Sequence, residues 1–231
     1  MKRNDQSIYS RYADSFWDGS HKFQRMLMDQ ARIRVGYFDK ITHDWEGVET
    51  LDLGCGSGFM SEALAARGAK VTGVDPCIPL LEAARKHARE GGLGITYIEG
   101  TGENIPLAAS SVDRVVCVDV LEHVDDEVKV ISEIRRVLRP GGIFFFDTLN
   151  KNRLSAFLVV HVLEDLLHAL PRGSHDPAKF IGPETLVKIL GKNGFTCPDE
   201  FTGMGMVLDG RFRPRFGLIQ STKVMYIGYA V

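Results

Sequence analysis

Three polar residues in the segment "DVLEHV", Asp119, Glu122 and His123, stand at i, i+3 and i+4. On a helical turn that spacing gathers two carboxylates and an imidazole on one face. Two chemistries suit such a face. The three groups can hold a divalent, oxygen-seeking ion such as Mg²⁺, or His123 can act as a general base without metal, since an ordinary imidazole titrates near neutral pH. A third reading gives them only a pocket floor and a cap for the next helix. A second candidate is His175, followed by Asp176 in "GSHDP": either a catalytic histidine facing substrate, or a turn held by local side-chain hydrogen bonds. In "LSAFLVVHVLEDLLHAL", His161, Glu164, Asp165 and His168 form a polar stripe at helical spacing. It reads as a solvated or cavity-lining face, or as a metal cluster.

A ligand site is written more plainly in "LDLGCGSG". Gly54, Gly56 and Gly58 alternate directly behind an apolar run and ahead of a helical pattern. A strand gains nothing from bare backbone, so the glycines serve a tight turn and a close approach by a ligand. The spacing is G-x-G-x-G rather than the dinucleotide G-x-G-x-x-G, and no lysine follows as in a phosphate-binding P-loop. Asp75 ends the next strand pattern 21 residues after Gly54, where an acid accepts hydrogen bonds from ribose hydroxyls. Ahead of Pro76 it also suits a helix cap. The expected ligand therefore carries a nucleoside but is not NAD.

These residues need a scaffold. "ETLDLG", "AKVTGVD", "ITYIEG", "DRVVCVD" and "GIFFFDTL" are strand candidates, separated by segments with apolar residues at helical spacing and glycine at their ends. With two late strands they predict an α/β fold: a mostly parallel, seven-stranded sheet with helices on both faces. Residues 1–47 read as a helical cap rich in aromatics, and 48–231 as the main domain with a substrate-side insertion at about 150–182. At 231 residues and 44% hydrophobic content the chain can bury one good core. A net charge of −2 gives no electrostatic footprint for nucleic acid. The four cysteines lack any CxxC spacing, so a reducing cytoplasm is expected rather than a disulfide framework. The N-terminus shows no apolar run after its basic residues and does not read as a secretory signal. Leu154–Leu170 is too short and too charged to span a bilayer.

Taken in order, "LDLGCGSG", "VTGVDP", "GTGENIPL" and "VDRVVCVDVLEHV" resemble the successive motifs of the class I S-adenosylmethionine-dependent methyltransferases, with their Rossmann-like fold, over about 100 residues from Leu51 to Asn150. The resemblance implies S-adenosylmethionine as cofactor. It carries cofactor-binding roles to Asp52, Gly54, Gly56 and Gly58 in the first loop, to Asp75 at the ribose, and to Thr101, Gly102, Glu103 and Val118 around the rest. Many members have Asp where this chain has Thr101.

Outside those motifs, "FFFDTLNKN" and "ALPRGSHDPAKFIGPETL" resemble the family that O-methylates polyprenylated catechols in ubiquinone biosynthesis. "RVGYF" resembles its cap, where an arginine, here Arg34, reaches the cofactor carboxylate. In part of that family a metal is placed on a Glu-x-x-Glu-His pattern, of which Asp119 is a shortened first member. The implied activity is methyl transfer to a phenol or quinol hydroxyl, with a lipophilic acceptor and peripheral contact with the inner face of a membrane through the aliphatic side of 154–170. A soluble phenol, C-methylation and a non-catalytic cofactor-binding module are the alternatives.

Overall fold

The computed structural model describes residues 4, 7–18, 22–208 and 214–231. Strands β1 (Glu49–Leu53), β2 (Lys70–Asp75), β3 (Thr96–Glu99), β4 (Val112–Cys117) and β5 (Leu138–Leu149) pair in parallel, in the order β3-β2-β1-β4-β5. Beyond β5 the sheet continues antiparallel through β8 (Met225–Ala230), β6 (Thr202–Leu208) and β7 (Pro214–Ile219). The α/β class is as expected, but the sheet has eight strands, not seven. The additional strand comes from the β6–β7 hairpin, where Gly205 faces Gly217 and Gly203 faces Ile219. Glycines at paired positions dilute the alternating apolar signal by which a strand is read.

Helices α3 (Phe59–Ala65), α4 (Ile78–Glu90) and α5 (Glu127–Val137) connect the parallel strands, and α7 (Pro183–Lys192) covers the C-terminal half. The run "FFF" in β5 shows why both faces are covered. Phe144 and Phe146 pack with Ile131, Ile134 and Leu190, from α5 and α7. Phe145 points the other way, onto Val35, Phe38 and Leu64, as the period of two demands. A strand apolar on both sides has to be a central one.

Ahead of the sheet lie α1 (Ser7–Ser10), a 3₁₀ turn (Ala13–Ser15) and α2 (Lys22–Phe38). Phe16 and Phe23 pack on Leu80 of α4, which seats this cap against the C-terminal ends of the strands. After β5 the chain forms a short α6 (Arg153–Ala156) and then a π-helix, Phe157–Leu166, where an ordinary α-helix was expected across 154–170. Leu167 N–H accordingly reaches back five residues to the Val162 carbonyl, at 2.8 Å. The wider winding breaks the expected stripe: Glu164 is fully buried, whereas His161 faces outward beside Asp165. No described helix is long and apolar enough to cross a membrane.

Candidate active site

The glycine loop leaves β1 with Gly54, Gly56 and Gly58 at φ of 75°, 50° and 91°, a left-handed region in which a side chain is strained. A Cβ on Gly54 would strike Val120, and one on Gly58 the Tyr97 hydroxyl. At Gly56 a Cβ would meet only Leu80, at 3.9 Å, so the backbone lies open to the cavity. Asp75 takes the N–H of Gly56 at 2.9 Å and of Cys77 at 2.8 Å, tying the loop to the start of α4. Asp52 lies beneath, accepting the Ser61 hydroxyl at 2.6 Å, and burial pushes its carboxyl up to about 7. Thr101 and Gly102 border the same cavity, and Glu103 there accepts the Asp125 N–H at 3.1 Å. Gly102 packs on Val130 of α5, and Val118 is buried at the end of β4.

Arg34, buried on α2, binds Asp147 of β5 through Nε and Asp119 through Nη2. Burial alone would lower its pKa, but the two carboxylates more than offset this and raise it. Asp119 adopts φ 52° and gives its N–H to Asp147 at 2.8 Å. A non-glycine residue is thus held in the left-handed region by two polar contacts. Glu122 accepts the Thr148 hydroxyl at 2.7 Å, and burial, with Asp119 and Asp147 adding, pushes its carboxyl up to about 8.

The expected metal face does not form. Residues 121–123 make a turn, not a helix, closed by His123 N–H on the Val120 carbonyl at 2.8 Å. Asp119 turns to Arg34, Glu122 to Thr148, and His123 Nδ1 to Asn4 at 2.8 Å. Among the described residues, no three His, Cys, Asp or Glu side chains are grouped to hold an ion. Mg²⁺ therefore has no ligand set at Asp119, Glu122 and His123, nor a metal at the stripe His161, Glu164, Asp165 and His168. What Asp119 and Glu122 do instead is brace the cavity floor against α2 and β5.

The structure brings His123 and His175 together, their ring centroids 5.0 Å apart. Burial, followed by the nearby His175 and Lys179, pushes His123 down to about 3, so its ring stays neutral. His175 Nδ1 lies 2.7 Å from Glu164 Oε1. Burial alone would raise Glu164, but hydrogen bonds from His175, Gly173 and Ser174 hold it below the ordinary carboxylate range. Tyr9 from the cap stands edge-on to His123, ring centroids 6.2 Å apart, and burial raises its phenol well above the ordinary value.

The glycine loop, Asp75, Arg34, Asp119, His123 and His175 line one cavity of about 1470 Å³, with Asp147 and Glu164 behind its wall. Ligand pockets commonly enclose about 300–1,000 Å³, so it has room for a nucleoside ligand and a second molecule. Three polar atoms in its wall, Ser57 Oγ, Gln30 Oε1 and Glu122 Oε1, are buried with no hydrogen-bond partner among the described residues. Orphaned polar groups beside a glycine loop and an acid suit the amino-acid and ribose parts of S-adenosylmethionine. Motif spacing missed Asp147, Tyr9, Gln30 and Ser57 as site residues, and it placed Glu164 only in a polar stripe. Asp147 did leave a signal: one acid directly after the apolar run Ile143–Phe146 has to be paired.

Comparison with known proteins agrees with this geometry. A family model described as a methyltransferase domain matches residues 51–146. The ubiquinone biosynthesis O-methyltransferase of Idiomarina loihiensis is 34% identical over 227 residues, 96% of this chain and 89% of the relative. That of Thiobacillus denitrificans is 37% identical over 197 residues, 85% of this chain and 84% of the relative. Among solved structures, the magnesium protoporphyrin IX methyltransferase of Synechocystis, with S-adenosylhomocysteine bound, superposes with a TM-score of 0.67 at 21% identity, covering 98% of this chain and 99% of that one. The YcgJ protein of Bacillus subtilis gives the same TM-score at 18% identity, covering 85% of this chain and 97% of that one. The structural likenesses show the fold; the sequence matches, extending over most of both chains, show that this S-adenosylmethionine-dependent methyltransferase belongs to the ubiquinone biosynthesis O-methyltransferase family.

Proposed function

We propose that this chain methylates a phenolic hydroxyl of a polyprenyl catechol or a demethylubiquinol-like quinol. The observation that carries the acceptor class is the apolar part of the cavity wall. It is built from Leu158, Val162 and Leu163 of the π-helix with Met204, Phe216 and Met225 of the antiparallel strands. A soluble phenol has no use for that surface, whereas an isoprenoid tail gains about 0.8 kcal/mol per CH₂ removed from water. Outside, Leu154, Phe157, Leu166 and Leu167 are exposed around the same helix, an apolar face suited to contact with the lipid that holds such an acceptor.

The cofactor would be held by the Gly54–Gly58 backbone, Asp52 and Asp75, with Thr101, Gly102, Glu103 and Val118 around the adenine and Arg34 toward the methionine end. When bound, it supplies an electrophilic sulfonium methyl to the acceptor oxygen's electron pair, the S–C pair returning to sulfur. The chain's own task is to orient the acceptor and take one proton. His175 suits this better than His123, whose depressed pKa makes it a weak base. His123 and Tyr9 wall the acceptor's ring, and the carboxylate of Glu164 stabilises the imidazolium that forms.

A methyl-transfer assay comparing a short-chain prenyl catechol with catechol itself tests the reading. The prenylated acceptor is expected to give at least about a tenfold higher kcat/KM, the gain of two or more buried CH₂ groups. With no converging carboxylates, EDTA is expected to leave the rate unchanged. Equal kcat/KM for the two acceptors would remove the lipophilic substrate.

A further inference from the structure

We infer that Glu164, from the π-helix, is the positioning residue that fixes the tautomer and orientation of His175. This rests on the reading of His175 as the proton acceptor. The carboxylate is wholly buried yet surrounded by donors. Oε2 takes the Gly173 N–H at 2.8 Å. Oε1 takes the His175 N–H at 2.9 Å, lies 3.1 Å from Ser174 Oγ and meets His175 Nδ1 at 2.7 Å. Three consecutive residues of the "GSH" loop are thus hung on one side chain of a neighbouring helix, which locks both the loop and the ring it carries.

An ionised carboxylate only accepts hydrogen bonds, so the imidazole nitrogen facing it has to carry the hydrogen. The competing arrangement would have Ser174 donate to Nδ1, from 2.9 Å. Ser174 has one proton, and two stronger acceptors compete with the imidazole nitrogen for it: the Glu164 carboxylate at 3.1 Å and the Pro171 carbonyl at 2.8 Å. With Nδ1 protonated, Nε2 keeps the basic lone pair on a ring that lines the cavity. When Nε2 takes the phenolic proton, the imidazolium so formed is an ion partner of Glu164, with no further proton transfer to the carboxylate.

The backbone conformation points the same way. A π-helix is rare, is mostly confined to single-turn bulges, and recurs at functional sites; here it extends over ten residues. Glu164 is the buried acid of that run, and its neighbours Asp165 and Leu166 are partly or largely exposed. The winding delivers one acid inward beside the buried Val159 and Val160.

Nitrogen-15 NMR of the histidine side chains in the unaltered, ligand-free chain, with His175→Gln as the assignment control, reads the tautomer directly. The expected result is Nδ1–H with unprotonated Nε2, and the Nε2–H tautomer overturns the inference. In methyl-transfer kinetics, Glu164→Gln should lower kcat on the order of 10²-fold, the scale of a misdirected general base. The acceptor KM and the calorimetric affinity for S-adenosylhomocysteine should hold within about twofold. Glu164→Asp should recover part of kcat by restoring the charge. Unchanged kcat in Glu164→Gln, or a loss lying wholly in KM, overturns the inference, and a variant that fails to fold leaves the NMR result decisive. Loss of selectivity for prenylated acceptors would sink the substrate reading while leaving the tautomer result standing.

Discussion

Ser57 and Gln30 each bury a polar atom that finds no partner among the described residues. A buried donor or acceptor left unmade costs about 1–3 kcal/mol, and natural folds keep few of them. Both atoms border the cavity beside the glycine loop, where a bound cofactor can supply the missing partner. Ser57→Ala removes the orphan from the free protein and the contact from the complex. Its thermal midpoint should therefore equal or exceed that of the parent. Its affinity for S-adenosylhomocysteine, measured by calorimetry, should fall about 5- to 50-fold, equivalent to about 1–2.3 kcal/mol. Equal affinity in the two chains would show that Ser57 Oγ meets water and not the cofactor.

At the scale of elements, β5 carries the architecture because its two faces serve different layers. Phe146 is fully buried against Phe144 and edge-on to Phe201. Phe146→Ala is expected to cost about 3–5 kcal/mol, read as a lowered urea midpoint at unchanged slope. A cost under about 1 kcal/mol would mean that the sheet can collapse around the void. The same strand shows how far the sequence is readable. An unbroken apolar run between helical segments announces a central parallel strand, and the G-x-G-x-G turn with a following acid announces the nucleoside site, because both depend on residues close in the chain. Glu164 and Asp147 gain their meaning from partners on other elements. Asp147 waits on Arg34, 113 residues away, and Glu164 on a helix whose winding departs from 3.6 residues per turn. The metal reading failed for a related reason. The spacing of Asp119, Glu122 and His123 assumed a helix, and a left-handed Asp119 bound to Arg34 disperses them.

Across the whole molecule, burial in and behind the cavity wall favours the protonated form of several carboxyls. Burial raises Asp52 to about 7 and Glu122 to about 8, and it raises Asp147 despite the lowering effect of Arg34. In the unfolded chain such groups titrate near 4. Between those values the folded state binds more protons than the unfolded one, so stability falls as pH rises, by up to about 1.4 kcal/mol per pH unit for each proton of difference. His123 acts in the opposite sense, because its folded pKa is depressed to about 3; its contribution is complete once the pH exceeds the unfolded value of about 6.5. Glu164 is also depressed, and it matters only where unfolded carboxylates begin to protonate. From pH 6.5 to 8 the raised carboxyls therefore act without opposition from these two. The thermal midpoint of the ligand-free protein should decline across that window, and Glu122→Gln, which cannot ionise, should flatten the upper part of the decline. A midpoint that holds level or climbs from pH 6.5 to 8 would mean that these carboxyls are already ionised in the folded chain, compensated by Arg34 or by water in the cavity.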